Sequence, residues 1–305
     1  MRIRFFVMLM LLSFSVSAQD IRISGVSRVR PDDRGQYMLA GVVPGTRYLL
    51  VTGEGYRGLS LIDSRNGNIR EISTEPGAGY EPAVTADGTI LIYRTNDFSG
   101  NRRLTTVYSY NLESGDSEVL INRERDVLTP SVYGNTVLIK SGKEARIEKF
   151  DSLSLKSKEI ETFVVIEDMT LVLYRGDDRK SLKPNGDGYY IWASLSPDRS
   201  KIVYNYQGRG TYICDTEGKL IHNLGKVDAP RWLNDNIIIG MDDRDDGHRI
   251  ISSELVYYSL PQDSRKILTK TPDRAEIYPL PFDSGRKIAF STVDGSLYIM
   301  KIRIR

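Results

Sequence analysis

Histidine and cysteine are nearly absent: the 305 residues include two His and one Cys. A single cysteine, Cys214, cannot form an internal disulfide, so no disulfide framework holds this chain even in an oxidising compartment. It lies in the strand-like run Thr211-Tyr212-Ile213-Cys214-Asp215, where a small apolar side chain is wanted, and reads as a buried, inert thiol. His222 and His248 are too few for histidine-rich metal sites or hydrolase triads, which need a well-supported imidazole oriented by a carboxylate. No G-x-S-x-G nucleophile elbow is present. Long Ala/Leu/Glu/Lys helical stretches are missing, and so is any long basic run, which argues against a nucleic-acid partner. These absences together lead to the expectation that the chain is not an enzyme.

No apolar run reaches the ~20 residues that span a bilayer. The longest, Phe5 to Val16, follows Arg2 and Arg4 and precedes the small-residue site Val16-Ser17-Ala18. That pattern is a secretory signal peptide over 1–18, cleaved between Ala18 and Gln19. No Cys follows it, so a lipid anchor at the cleavage site is excluded. The mature chain, 19–305, is expected to be periplasmic or secreted, without membrane insertion. The formal charge of +2 comes from 42 Lys and Arg against 40 Asp and Glu. Arg2 and Arg4 leave with the leader, so the mature chain is balanced.

What is present is tyrosine (18 residues), many β-branched residues, and a repeated phrase. A Pro or aromatic residue precedes a short strand, a tight polar turn and a strongly apolar strand. Clear copies are Tyr80 to Tyr93, Tyr190 to Tyr204 and Tyr278 to Phe290; weaker ones are Leu39–Val51, Pro130–Ile139 and Pro230–Ile239. Asp87-Gly88 and Ser284-Gly285 supply residues that accept positive φ in tight hairpins. The strand after each turn is a continuous apolar run, as in Ile90-Leu91-Ile92 and Ile237-Ile238-Ile239, which requires cover on both faces. Two further strands complete each unit, as in Leu59–Asp63 followed by Ile69–Ile72. Four antiparallel strands repeating at roughly 35 to 50 residues describe the blades of an all-β propeller.

Ser196-Pro197-Asp198-Arg199-Ser200-Lys201-Ile202 and Thr85-Ala86-Asp87-Gly88-Thr89-Ile90 resemble the S-P-D-G-x-x-I signature of TolB-like β-propeller repeats. Trp192 and Trp232 sit where that family often carries an aromatic residue before the turn. Pro130 to Ile139 departs from the pattern, with Tyr133-Gly134-Asn135 replacing the turn. The resemblance covers nearly all of 19–305 and implies a single propeller domain. It favours six blades, with the short stretch Phe163 to Pro184 merged into a neighbour; counted separately, that stretch makes seven. The chain ends on a third strand, Ser296 to Ile302, and Ile21 to Val26 is positioned to supply the missing outer strand of the last blade. TolB-like propellers are often interaction modules of the cell envelope, and the lyases among them use metal-bound histidines, in which this chain is poor.

The candidate site is a face rather than a motif. Loops between second and third strands share one face with the loops between blades. That face is expected to collect Tyr80, Tyr189, Tyr190, Trp192, Trp232 and Tyr278, together with Phe98 and Arg102 from the polar loop Asp97–Arg103. Aromatic rings give large contact area at low entropy cost. Trp192 and Trp232 serve equally well as packing between blades. Asp242, Asp243, Asp245 and Asp246 form an acid-rich loop suited to Ca²⁺, although Arg244 interrupts the spacing and a solvated, Arg-bridged loop is the stronger reading. No other cofactor is implied. The resulting expectation is a non-catalytic exported scaffold that engages an envelope protein or peptide through one face. The alternative is recognition or processing of an envelope oligosaccharide.

Overall fold

The computed structural model describes residues 20–150 and 161–305; the expected leader, 1–18, lies outside them. Strand β1 (Ile21–Val29) stands apart from the first blade, which comprises β2 (Met38–Val42), β3 (Tyr48–Thr52), β4 (Leu59–Asp63) and β5 (Ile69–Ser73). The second blade is β6 (Ala83–Val84), β7 (Ile90–Ser99), β8 (Arg102–Asn111) and β9 (Ser117–Glu124). The third is β10 (Ser131–Tyr133), β11 (Thr136–Ser141) and β12 (Glu144–Lys149); the fourth is β13 (Thr162–Glu167), β14 (Thr170–Arg175) and β15 (Asp178–Leu182). The fifth holds β16 (Tyr190–Leu195), β17 (Lys201–Tyr206), β18 (Gly210–Asp215) and β19 (Leu220–Gly225). The sixth holds β20 (Asp228–Asn234), β21 (Ile237–Asp245), β22 (Ile250–Ser259) and β23 (Ser264–Ile267). β24 (Glu276–Phe282), β25 (Lys287–Thr292) and β26 (Leu297–Ile304) make the seventh.

Each sheet is an antiparallel meander, and the inner strands β2, β6, β10, β13, β16, β20 and β24 form a ring around a central channel. The propeller is all-β with seven blades, which corrects the expectation of six. The stretch Phe163 to Pro184 is a blade of its own because it is apolar on both faces. Phe163, Val165 and Val172 pack on Leu138 of the third blade. Val164, Leu171 and Leu173 pack on Tyr190, Ile202 and Tyr204 of the fifth. Among the described residues this blade and the third have three strands; the others have four.

The ring closes as the sequence suggested. β1 runs antiparallel to β26 on the outside of the seventh blade, from Ile21↔Ile304 to Val29↔Leu297, with a bulge after Ile23. Asp20 and Arg305 exchange both backbone hydrogen bonds at 3.0 Å.

The core is divided into seven apolar clusters, one at each junction between neighbouring blades. The continuous apolar strands follow directly: Ile237 and Ile239 face the seventh blade, and Ile238 faces the fifth. Cys214 is fully buried between the fourth and fifth blades, and burial pushes its thiol up to about 12. The polar turns also join blades. Asp198 accepts from the Ser196 hydroxyl at 2.5 Å and the Ser200 amide at 3.0 Å, while its own amide donates to Asp235 of the next blade at 2.7 Å. Asp87 is held likewise by Thr85 and Thr89 and bonds to Asn135 of the third blade. These donors hold both carboxylates below their usual range even though partial burial opposes them.

At the start of four inner strands one non-glycine residue turns left-handed: Glu81 (φ 48°), Trp192 (53°), Ala229 (47°) and Tyr278 (53°). Each is followed by Pro or Ala. In β16, β20 and β24 the pairing register breaks at this position, which makes it a bulge. A bulge leaves a ladder position unpaired, where proline's missing N–H costs nothing. It also re-aims side chains at the end of the channel.

A chain beginning at Arg30 is expected to unfold at a markedly lower urea midpoint than 19–305, because it loses the whole β1–β26 ladder. Adding a peptide of residues 19–29 should recover part of the loss. Equal midpoints would show that the ladder contributes nothing to stability.

Candidate functional site

The inner strands begin on the face that also carries the β3–β4, β7–β8, β21–β22 and β25–β26 connections. On this face, residues from blades one, two, six and seven converge over the channel. Tyr56 sits at the end of a 3-10 turn, Glu54–Tyr56, after β3. Its ring meets that of Tyr80 edge-on, with centroids 4.9 Å apart. The approach depends on Gly79, where a Cβ would lie 2.0 Å from the Thr52 Oγ1. The Arg94 guanidinium lies over the Tyr80 ring, 4.8 Å from its centroid. Tyr80 remains 37% exposed, so its ring is fixed by two neighbours and still open to a ligand.

Charge is distributed unevenly around this platform. Glu81, beside Tyr80, is the main reason that the Tyr80 phenol is raised, with burial second. Burial lowers the proton affinity of Arg94 and of Arg231, and Glu81 opposes the shift in both. Arg231 belongs to β20 and Glu81 precedes β6, so this interaction reaches across the channel. Burial raises the Tyr278 phenol, which also feels Tyr56, Asp243 and Tyr80; Tyr278 therefore joins the same mouth from the seventh blade.

On the sixth blade the Asp243 carboxylate disfavours ionisation of Asp228. Asn205 Nδ2 donates to Asp228 Oδ1 at 3.1 Å. Burial, then Asp243, pushes Asp228 up to about 6, with Lys226 opposing. The neighbouring acids point elsewhere. Asp242 is ion-paired to Arg265 and lies 3.7 Å from Lys226. Asp245 accepts from the Gly247 amide, and Asp246 caps the hairpin turn through the His248 and Arg249 amides. Asp242, Asp243 and Asp245 lie on β21, where successive side chains alternate faces, so the four acids do not converge. Among the described residues no group of three or more His, Cys, Asp or Glu is arranged to hold a metal ion.

The other expected site residues divide into framework and rim. Tyr190 is 1% exposed; its hydroxyl donates to the Gly186 carbonyl at 2.8 Å, and its ring packs on Tyr204 and Tyr206. Trp232 is buried between the fifth and sixth blades and donates to the Ser194 carbonyl at 3.2 Å. Trp192 packs its ring against the cluster between the sixth and seventh blades. Phe98, 65% exposed, and Arg102 stand on the long β7–β8 hairpin, and Tyr189 is exposed before β16. Arg102, Asn101, Leu104 and Arg125 border an open cleft of ≈ 570 Å³. Tyr56, Glu81, Arg94, Asp228 and Arg231 were not among the expected residues. The one signal for them was repeat phase: Glu81, Ala229 and Tyr278 each precede a proline at the same point of the unit.

The chain matches no protein-family model and no curated protein. Its backbone is similar to that of a chain in the crystal structure of a mitotic checkpoint complex, with a TM-score of 0.60 and 11% identity over 99% of this chain and 98% of that one. This likeness establishes the β-propeller fold. An oligogalacturonate lyase from Vibrio parahaemolyticus aligns with a TM-score of 0.49 and 17% identity, over 84% of this chain and 74% of that one. An oligogalacturonate lyase in complex with manganese aligns at 0.48 and 16%, over the same shares. The expectation that the chain is not an enzyme does not stand. The expectation rested on missing histidines and a missing serine elbow, and chemistry carried by Tyr, Arg and paired carboxyl groups needs neither.

The Asp228–Asp243 pair gives a pH signature. The native pair holds a proton that an unfolded aspartate releases near 3.8, so the native state binds more protons between pH 4 and 6. Stability contributed below that window is therefore lost as pH rises through it. Asp243→Asn, which removes a negative charge that acts on Asp228, should raise the urea midpoint at pH 7.5 and flatten its change between pH 4.5 and 7.5. Parallel pH profiles for wild type and variant would show that Asp243 does not set the titration of Asp228.

Proposed function

We propose that the mouth of the channel binds an oligosaccharide, with Tyr80 as the stacking surface. The observation that carries this reading is the fixed, part-exposed Tyr80 ring, braced by Tyr56 and Arg94. A ring already immobilised offers its apolar face to sugar C–H groups without a further ordering cost. Tyr278, Glu81 and Arg231 surround it with the hydrogen-bonding groups a sugar requires. A chain exported by the leader expected at 1–18 would meet such a ligand in the cell envelope. The acid pair at Asp228 and Asp243 lies beside Tyr278, so the same mouth has groups able to move a proton to or from a bound sugar.

A second reading, contact with an envelope protein or peptide, is favoured by Phe98. It projects from the β7–β8 hairpin at 65% exposure, with Arg102 on the same hairpin. A crosslinked pull-down from solubilised envelope that depends on Phe98 and not on Tyr80 would move the function to that hairpin.

The oligosaccharide reading is tested by thermal shift against a panel of envelope and plant-wall oligosaccharides, followed by calorimetry on each hit. Tyr80→Ala should weaken binding by about tenfold or more, the loss of one stacked ring being worth on the order of 1.5 kcal/mol. Gly79→Ala should act in the same direction by displacing Tyr80 from Tyr56. A panel without a single hit would overturn the reading.

A further inference from the structure

We infer that the free outer edge of the β7–β8 hairpin is a docking site for an extended acidic peptide of a partner protein, which adds a strand beside Arg102–Leu104 and sets carboxylates on Arg102 and Arg125. The site is separate from Tyr80 and does not rest on the oligosaccharide reading. It deepens the second reading, contact through the hairpin of Phe98, by giving the partner a chemistry.

The hairpin outgrows its own blade. β8 is paired with β7 along its whole length, out to Ser99↔Arg102. Its outer neighbour β9 follows it only from Tyr110↔Ser117 to Thr105↔Glu124. The register breaks near the end of that ladder, where Arg123 turns left-handed (φ 52°) and its amide donates to Thr106 Oγ1 at 3.2 Å. The chain then leaves the blade: Asp126 is left-handed too (φ 56°), and Val127 bridges to Ser141 of the third blade. Arg102, Arg103 and Leu104 therefore have a strand on one side only. Along an antiparallel edge every second residue points its N–H and C=O away from its partner, so this stretch offers main-chain groups to an incoming strand. Beside it lies the cleft of ≈ 570 Å³, bordered by Ser99, Asn101, Arg102, Leu104 and Arg125.

The side chains around the cleft select its occupant. Four arginines stand on or beside this edge: Arg102, Arg103, Arg123 and Arg125. Arg123 is ion-paired with Asp97, and Glu124 accepts from the Ser141 hydroxyl. Among the described residues no carboxylate lies within 4.0 Å of Arg102, Arg103 or Arg125. Basic side chains on an open edge repel a second copy of the same edge, whereas opposite charges across a strand pair attract. Arg102 and Leu104 share one face of the hairpin; Arg103 lies on the other, directly opposite Phe98. Each face thus presents a cation beside an apolar side chain, and Phe98 is 65% exposed. A strand that carries acidic and apolar side chains on both faces satisfies all four positions, and its main chain satisfies the edge.

The test is a selection of short random peptides displayed on phage against the mature chain, with counter-selection on the Arg102→Gln/Arg125→Gln variant. The recovered peptides should carry Asp or Glu among apolar residues and lack a central proline. Made synthetically, they should bind the variant about tenfold or more weakly and lose affinity as NaCl rises from about 50 to 300 mM. N-methylation of one central amide should abolish binding, since it removes a main-chain donor and no side chain. Amide exchange at Arg102–Leu104 should slow in the complex. Both substituted arginines are exposed, so the variant should keep the wild-type thermal midpoint, which checks its fold. Recovery of neutral or basic peptides that still require Phe98 would overturn the inference and leave the hairpin contact standing. Equal binding to the variant, indifference to N-methylation or an empty selection would also overturn it. None of these results bears on the sugar panel, which reads Tyr80.

Discussion

Everything at the channel mouth depends on one ladder of hydrogen bonds, the pairing of the first described strand with the last. A ring of sheets has no stable open form, because each blade is covered by the next and the end blades would expose both an apolar face and a strand edge. In this chain β1 supplies the outer strand of the seventh blade, and the cluster between the seventh and first blades then forms around Val29, Leu49, Val51 and Ala289. The closure is strengthened at its end by Asp20, which accepts from the Tyr257 hydroxyl at 2.9 Å and pairs with Lys266. These contacts tie the first strand to the sixth blade as well as the seventh.

Within the ring, the inner-strand bulges convert a packing repeat into a functional surface. A regular strand would alternate its side chains between the two flanking blades. The left-handed residue interrupts that alternation and re-aims the side chain at that position. Different blades put different residues there: Glu81, Trp192, Ala229 and Tyr278. Backbone strain at bulky residues is costly, yet here it recurs at one point of the repeat, where a following proline or alanine and the missing ladder bond make it tolerable. The scaffold keeps a constant backbone and varies the chemistry at the mouth.

The sequence was informative where the physics is local and periodic. Turns such as Thr85-Ala86-Asp87-Gly88-Thr89 and doubly covered strands such as Ile237-Ile238-Ile239 can be read by eye, and they were enough for the fold and its closure. The blade count was misread because β13–β15 have no fourth strand among the described residues, and only the packing of Phe163 and Leu171 on opposite neighbours shows that this stretch is a separate blade. Tyr80 and Tyr278 were legible as candidates because they stand at the start of a unit. Tyr190 stands at the same point and is interior, since Tyr204, Tyr206 and the Gly186 carbonyl enclose it. Arg94 and Arg231 were hidden for another reason: one follows an apolar run in the middle of β7 and the other lies inside a weak repeat, and what each faces is set by strand pairing and by the curvature of the ring.

The seam of that ring runs through the mouth. Tyr278 comes from the last blade, Tyr56 from the first, and Tyr278 feels the charge of Tyr56. A ligand that touches both spans the junction that forms only once β1 has paired with β26. Binding and closure are then thermodynamically linked, and the ligand acts as a clasp on the ring. Recognition becomes a report of completeness: a truncated, nicked or half-translocated chain would carry most of the same residues and have no site.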